Sequence, residues 1–110
     1  MPSYQQMIQQ MQKTQREFER KQKLLDEKEF EYTANGAVKI TLKGNMDFVS
    51  IEFLDKDLLN ADDEDMLKDM IKLAYDGCKD LINQANEELN KAKKELNQAK
   101  ILLAELKNLS

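Results

Sequence analysis

The chain has 110 residues, 35% of them charged, with a net charge of −4, a single cysteine and no histidine. That length suits one domain with a modest core, for which self-association would add burial. Without histidine the commonest general base and the commonest metal ligand are both missing, and Cys78 alone makes no internal disulfide, which fits a reducing cytosol. No run of about 18 apolar residues suggests a transmembrane span. The polar, Gln-rich start is not expected to be a secretory signal.

The charge is unevenly spread. Residues 1–23 hold five bases (Lys13, Arg16, Arg20, Lys21, Lys23) against Glu17 and Glu19, a net of +3. Residues 89–110 hold Lys91, Lys93, Lys94, Lys100 and Lys107 against Glu95 and Glu105, again +3. The stretch between them, 24–88, carries −10. Two basic ends therefore flank an acidic middle, and a phosphate backbone meets local patches rather than the overall pI.

In chain order, residues 3–25 read as a helix capped by Ser3. Tyr4, Met11, Phe18 and Leu25 recur every seven residues, with Met7 and Ile8 beside them, as a packing seam does. The period then changes to two. Phe30, Tyr32 and Ala34 alternate with Glu29, Glu31 and Thr33, and Asn35-Gly36 supplies a turn. Val38, Ile40 and Leu42 alternate with Lys39, Thr41 and Lys43, and Gly44-Asn45 supplies another. Val49, Ile51 and Phe53 form the third alternation, with Met46 and Phe48 on the opposite face. This pattern predicts a three-stranded antiparallel meander whose third strand, apolar on both sides, needs a second cover. A twofold partner is the simplest supplier.

A turn over 55–60 precedes a long helix. Asn60 or Asp62 is the expected cap, and the acidic first turn complements the helix dipole. Met66, Leu67, Met70, Ile71, Ala74, Cys78, Leu81 and Ile82 make a broad core-facing stripe. It narrows to a heptad with Ala85, Ala92, Ala99 and Leu106 at one position and Leu89, Leu96 and Leu103 at the other. Gly77, costly inside a helix, implies close packing or a bend. Such a helix would reach about 75 Å and project from a body this small.

Reaction chemistry is not evident. There is no nucleophile elbow or phosphate loop. The run Asp55–Asp62 departs from a calcium loop at Leu59 and Asn60. The pair Asp62 and Asp65 is expected to lie in a solvated first turn, without the burial that shifts a carboxyl pKa. Cys78 lies on the apolar stripe, as an inert thiol would. Neither enzyme activity nor a metal, cofactor, membrane or small-molecule substrate is expected. The basic ends carry the functional signal. Arg16, Arg20 and Lys23 lie at i, i+4 and i+7, and Lys93 shares a helix face with Lys100, with Lys91 and Lys94 alongside. Such rows neutralise phosphates without reading bases. The bland alternative is a coiled coil whose flanking bases pair with Glu17, Glu19 and Glu95.

The segment Gly36-Ala37-Val38-Lys39-Ile40-Thr41-Leu42-Lys43-Gly44, with Val49-Ser50-Ile51-Glu52 after it, resembles the YbaB/EbfC family of bacterial nucleoid-associated proteins. There the second strand reads G-x-V-K-V-T-x-x-G and the third ends in V-x-I-D. Asp55-Lys56-Asp57-Leu58-Leu59 is similar to the family's D-x-x-L-L turn. Leu67, Asp69, Met70, Ile71 and Ala74 follow its L-x-D-L-[IV]-x-x-A helix, with Met70 in place of leucine. The resemblance covers roughly residues 5–90. It implies an α+β fold in α-β-β-β-α order with long helical arms, a homodimer joined through the sheets, and arms that hold duplex DNA in the cytoplasmic nucleoid.

On this reading residues 1–110 form one domain, with 91–110 a helical extension replacing the family's Gly/Pro-rich tail. Met46-Asp47-Phe48 stands where relatives often carry bases. The DNA-facing set is expected to be Lys13, Arg16, Arg20, Lys21, Lys23, Lys91, Lys93, Lys94 and Lys100. The dimer surface is expected to be Val38, Ile40, Met46, Phe48, Val49, Ile51 and Phe53. A second reading is a coiled-coil module that grips other proteins, since prefoldin-like chaperones share the helix–strands–helix order.

Overall fold

The computed structural model describes residues 3–60 and 62–109. Helix α1 (Tyr4–Glu27) leads into strands β1 (Glu29–Ala34), β2 (Val38–Lys43) and β3 (Phe48–Phe53). A 3-10 turn (Lys56–Asn60) and helix α2 (Glu64–Leu109) follow. The strands form one antiparallel sheet in the order β1-β2-β3, so the α-β-β-β-α meander expected from the alternation is present. The chain divides into two compact units, a body of Leu25–Ala85 and a unit made of the segment up to Leu24 with the segment from Asn86 onward.

Within the body, the inward face of the sheet carries one side chain from every second position. Tyr32 stands opposite Ile40 and Ile40 opposite Ile51; Ala34 pairs with Val38, and Val38 with Phe53. These residues meet Ala74, Cys78 and Ile82 of α2, one turn apart on the same helical face. Val38, Ala74 and Cys78 retain no accessible surface. The outward face is polar, and there the Lys39 ammonium lies 3.8 Å from Glu31 and 3.4 Å from Glu52. Both pairs are solvated and add little stability.

The two turns work by different means. Asn35 and Gly36 have φ of 50° and 67°, and Ala37 N–H closes the turn onto the Ala34 carbonyl at 2.9 Å. At the second turn the left-handed residue is Met46, with φ of 76°, not Gly44. Gly44 is there for space. A Cβ at that position would sit 1.8 Å from the Leu25 carbonyl oxygen, and the Gly44 N–H donates to Lys28 O at 2.8 Å. Gly77 plays the same part on α2. The Tyr32 ring lies where its Cβ would be, at 2.3 Å, so close packing is the reason for this glycine.

Helix ends follow local rules. Ser3 Oγ accepts from Gln6 N–H at 3.2 Å while Gln6 Oε1 accepts from Ser3 N–H at 2.9 Å, a reciprocal capping box. At α2 the cap is Asp63, whose Oδ1 accepts from Met66 N–H at 3.1 Å, in place of Asn60 or Asp62. The 3-10 turn before it starts on an Asx turn, Asp57 N–H to Asp55 Oδ1 at 3.0 Å. No described helix is long and apolar enough to cross a membrane.

Candidate nucleic-acid interface

The unit formed by α1 up to Leu24 and α2 from Asn86 is an antiparallel helical hairpin. Gln22 meets Asn86 and Lys93, Gln15 meets Lys100, and Tyr4 meets Lys107, so α1 descends as α2 rises. Its apolar seam is thin. Met7, Ile8, Met11 and Phe18 are only half-buried on α1, while Leu89 and Leu103 are buried on α2. Leu106, expected on the seam, is 61% exposed, because it lies level with Tyr4, the first residue of α1.

Against that seam the bases can be placed one by one. Lys13, Arg16, Arg20 and Lys23 are exposed on the face of α1 opposite Met7, Met11 and Phe18, and together make one continuous row. Lys21 is exposed on the flank. The bases of α2 do not share one surface. Lys91 and Lys94 are exposed and turned away from α1, whereas Lys93 and Lys100 are half-buried and turned toward it. Lys93 Nζ donates to Gln22 Oε1 at 2.6 Å, and Lys100 Nζ donates to Gln15 Oε1. Among the described residues, none of these nine bases forms an ion pair. The alternative in which Glu17, Glu19 and Glu95 neutralise the flanks is therefore not how the hairpin is built.

Two residues that the sequence reading left out belong to this arrangement. Gln15 and Gln22 clasp the two inward lysines, and the ammonium of Lys107, a base not placed in the expected DNA-facing set, lies 5.7 Å from the Tyr4 ring centroid. The signal was present as spacing: 15 and 22 on one helix, and 93, 100 and 107 on the other, are each seven apart. Between Phe18, Leu96 and the two lysines lies an open notch of about 250 Å³. Charge follows the division of the chain. The hairpin unit holds ten bases and six acids, a net of +4, and the body holds seven bases and fifteen acids, a net of −8.

The expected dimer surface is split by the fold. Val38 and Ile40, expected on the dimer surface, are buried in the chain's own core against α2. Ile51, Phe53 and Met46 pack at the margin of that core. Phe48 is 63% exposed and Val49 is also exposed, because a register shift opposite Thr41 and Leu42 leaves Val49 without a partner on β2.

Cys78 donates its thiol to the Phe30 carbonyl at 3.1 Å. Burial pushes this thiol above its ordinary pKa of 9.0, partly offset by a backbone hydrogen bond with Leu42. A buried, protonated thiol of this kind is not a nucleophile.

A profile of the YbaB/EbfC DNA-binding family matches residues 1–100. The chain belongs to this family. Three bacterial relatives are each called nucleoid-associated proteins. One from Malacoplasma penetrans is 30% identical over 85 residues, covering 77% of this chain and 89% of its own. One from Mycoplasmopsis pulmonis is 31% identical over 83 residues, 76% and 81% of the two chains. One from Clostridium acetobutylicum is 35% identical over 83 residues, 74% and 70%. The family match continues to residue 100, past the limit near 90 that the motifs suggested, so it takes in the first half of the helical extension. The family is described by what it binds and not by a reaction.

Proposed function

We propose that this chain is a nucleoid-associated protein that binds duplex DNA with little sequence preference, as a homodimer, through its basic helical hairpin. The observation that carries the reading is the segregation of charge: +4 on the hairpin against −8 on the body. Phosphates are attracted to the first and repelled by the second. Lysine and arginine side chains on helix faces reach phosphate oxygens without presenting a base-reading pattern, so the binding is sequence-tolerant. The family and the names of the relatives support DNA as the ligand and the cytoplasmic nucleoid as the place. The exposed Phe48 and Val49 at the start of β3, an edge strand, are the part of the expected dimer surface open to a second copy. Residues 1–110 then act as one functional domain with 91–110 as its extension.

The test is fluorescence anisotropy of a random-sequence duplex at two salt concentrations, with an Arg16→Ala/Arg20→Ala/Lys23→Ala variant alongside. Binding that falls steeply with salt and weakens in the variant is the expected result. Absence of binding at low salt would refute the reading. A second reading, a module that grips other proteins, draws on Ile101, Leu102, Leu106 and Leu109, all more than half exposed at the end of α2. Apolar gripping would survive the salt that abolishes phosphate binding.

A further inference from the structure

The inward lysines of the hairpin repeat with a regularity that the outward ones lack. Lys93, Lys100 and Lys107 stand seven residues apart on α2, about 10.5 Å at the helical rise. Each is met by a neutral group of α1: Gln22 Oε1, Gln15 Oε1 and the Tyr4 ring. The glutamines are themselves held. Gln22 Nε2 donates to Asn86 Oδ1 at 3.0 Å, and Gln15 Nε2 to Glu19 Oε1 at 3.4 Å, so that each amide oxygen is turned toward its lysine. Lysine has three donors and no acceptor, so an amide oxygen occupies one N–H of Lys93 and of Lys100 and leaves two. A neutral amide clasp also leaves the positive charge of Lys93 and Lys100 in place. Both lysines line the notch together with Phe18 and Leu96.

We propose that this ladder is a pre-positioned phosphate-binding row, with Lys93, Lys100 and Lys107 as the contacting cations and Gln22, Gln15 and Tyr4 as positioning residues. The inference rests on the DNA-binding reading and adds to it a second surface, distinct from the outward row of Arg16, Arg20 and Lys23. Ordering a free lysine on a phosphate costs rotamer entropy, and here the clasps have already met that cost. The two glutamine amides of the row are already engaged, by Lys93 and Asn86 at Gln22 and by Lys100 and Glu19 at Gln15, in keeping with sequence tolerance. Glu19 is the one carboxylate at the notch, and its contact there is to Gln15.

The experiment is the salt dependence of duplex binding by the full chain, compared with a Lys93→Gln/Lys100→Gln/Lys107→Gln variant. Glutamine has nearly the helix propensity of lysine, and circular dichroism checks that helicity is kept. The log–log slope should become shallower by about 0.9 for each lysine that meets a phosphate. A second pair separates the clasp from bulk charge. Gln22→Glu turns a neutral clasp into an ion pair with Lys93, while Gln98→Glu adds the same charge on the exposed side of α2. Gln22→Glu should weaken binding severalfold more than Gln98→Glu. If the wild type binds but the lysine variant keeps its slope, or the two glutamate variants bind alike, the ladder is overturned and DNA binding by the outward row stands. If the wild type fails to bind at low salt, both proposals fall together.

Discussion

In the body, Val38, Ala74 and Cys78 are sealed from solvent between a sheet face and α2, whereas among the described residues of the hairpin only Leu89 and Leu103 are buried and α1 contributes no buried residue. The body spends its apolar residues on a core and leaves an acidic exterior. The hairpin has a narrow seam of half-buried methionines and leucines, supplemented by amide and ammonium clasps, and leaves a basic exterior. Two packed helices with so little burial gain only modest stability from hydrophobic transfer. What the hairpin offers instead is surface. On the proposed function, stability and ligand affinity belong to different parts of one chain, and α2 contributes residues to both.

That contrast can be broken most severely at Gly44. Alanine there would place a methyl group against the Leu25 backbone, which cannot yield as a side chain could, and the body should lose about 3 kcal/mol or more. Chemical denaturation of Gly44→Ala is expected to show a large fall in midpoint, and an unchanged midpoint would remove the close approach from the account. Next comes a matched pair of cavities. Leu42→Ala in the body should cost about 2–5 kcal/mol, and Leu89→Ala in the hairpin should fall at or below the lower end of that range, since its surroundings are open enough to collapse. Equal losses would mean that the hairpin is as tightly packed as the body.

Smaller is the effect of alkaline pH. The Cys78 thiol has its folded pKa raised above 9.0, so the folded state holds the proton more tightly than the unfolded one, and stability falls as pH rises through and beyond 9.0. A Cys78→Ala variant should lose less stability over the same range, read from denaturation midpoints at pH 8 and pH 10. The smallest effect belongs to Gly77→Ala. Its gain in helix propensity, about 1 kcal/mol, opposes the displacement of the Tyr32 ring, and the net should be near zero. In a Tyr32→Ala background the same change should stabilise by about 1 kcal/mol, and a double-mutant cycle reads the difference.

Much of this was legible in the sequence because local periodicity encodes it. The alternations of Phe30–Ala34 and Val38–Leu42, with Asn35-Gly36 between them, announced the first hairpin of strands, and Ser3 announced the start of α1. The motif resemblance announced the family. What escaped depends on contacts between segments distant in the chain. Gly44 looks like a turn glycine until the Leu25 carbonyl is placed beside it. Val38 and Ile40 alternate as an interface residue would, and only the docking of α2 shows which partner they face. The register shift that exposes Phe48 and Val49 has no local signal. The nine bases were correctly found on helical arms, but whether a lysine turns out to solvent or in to a glutamine depends on where the seam lies. The charge pattern gave the sign of the arms and not the direction of each side chain.

The most direct test of the division between core and grip is hydrogen exchange of the full chain with and without a random-sequence duplex. Protection gained on adding DNA should fall on residues 3–24 and 86–109, with the strands and the helix within 25–85 unchanged. Protection gained in the body and none in the hairpin would contradict it.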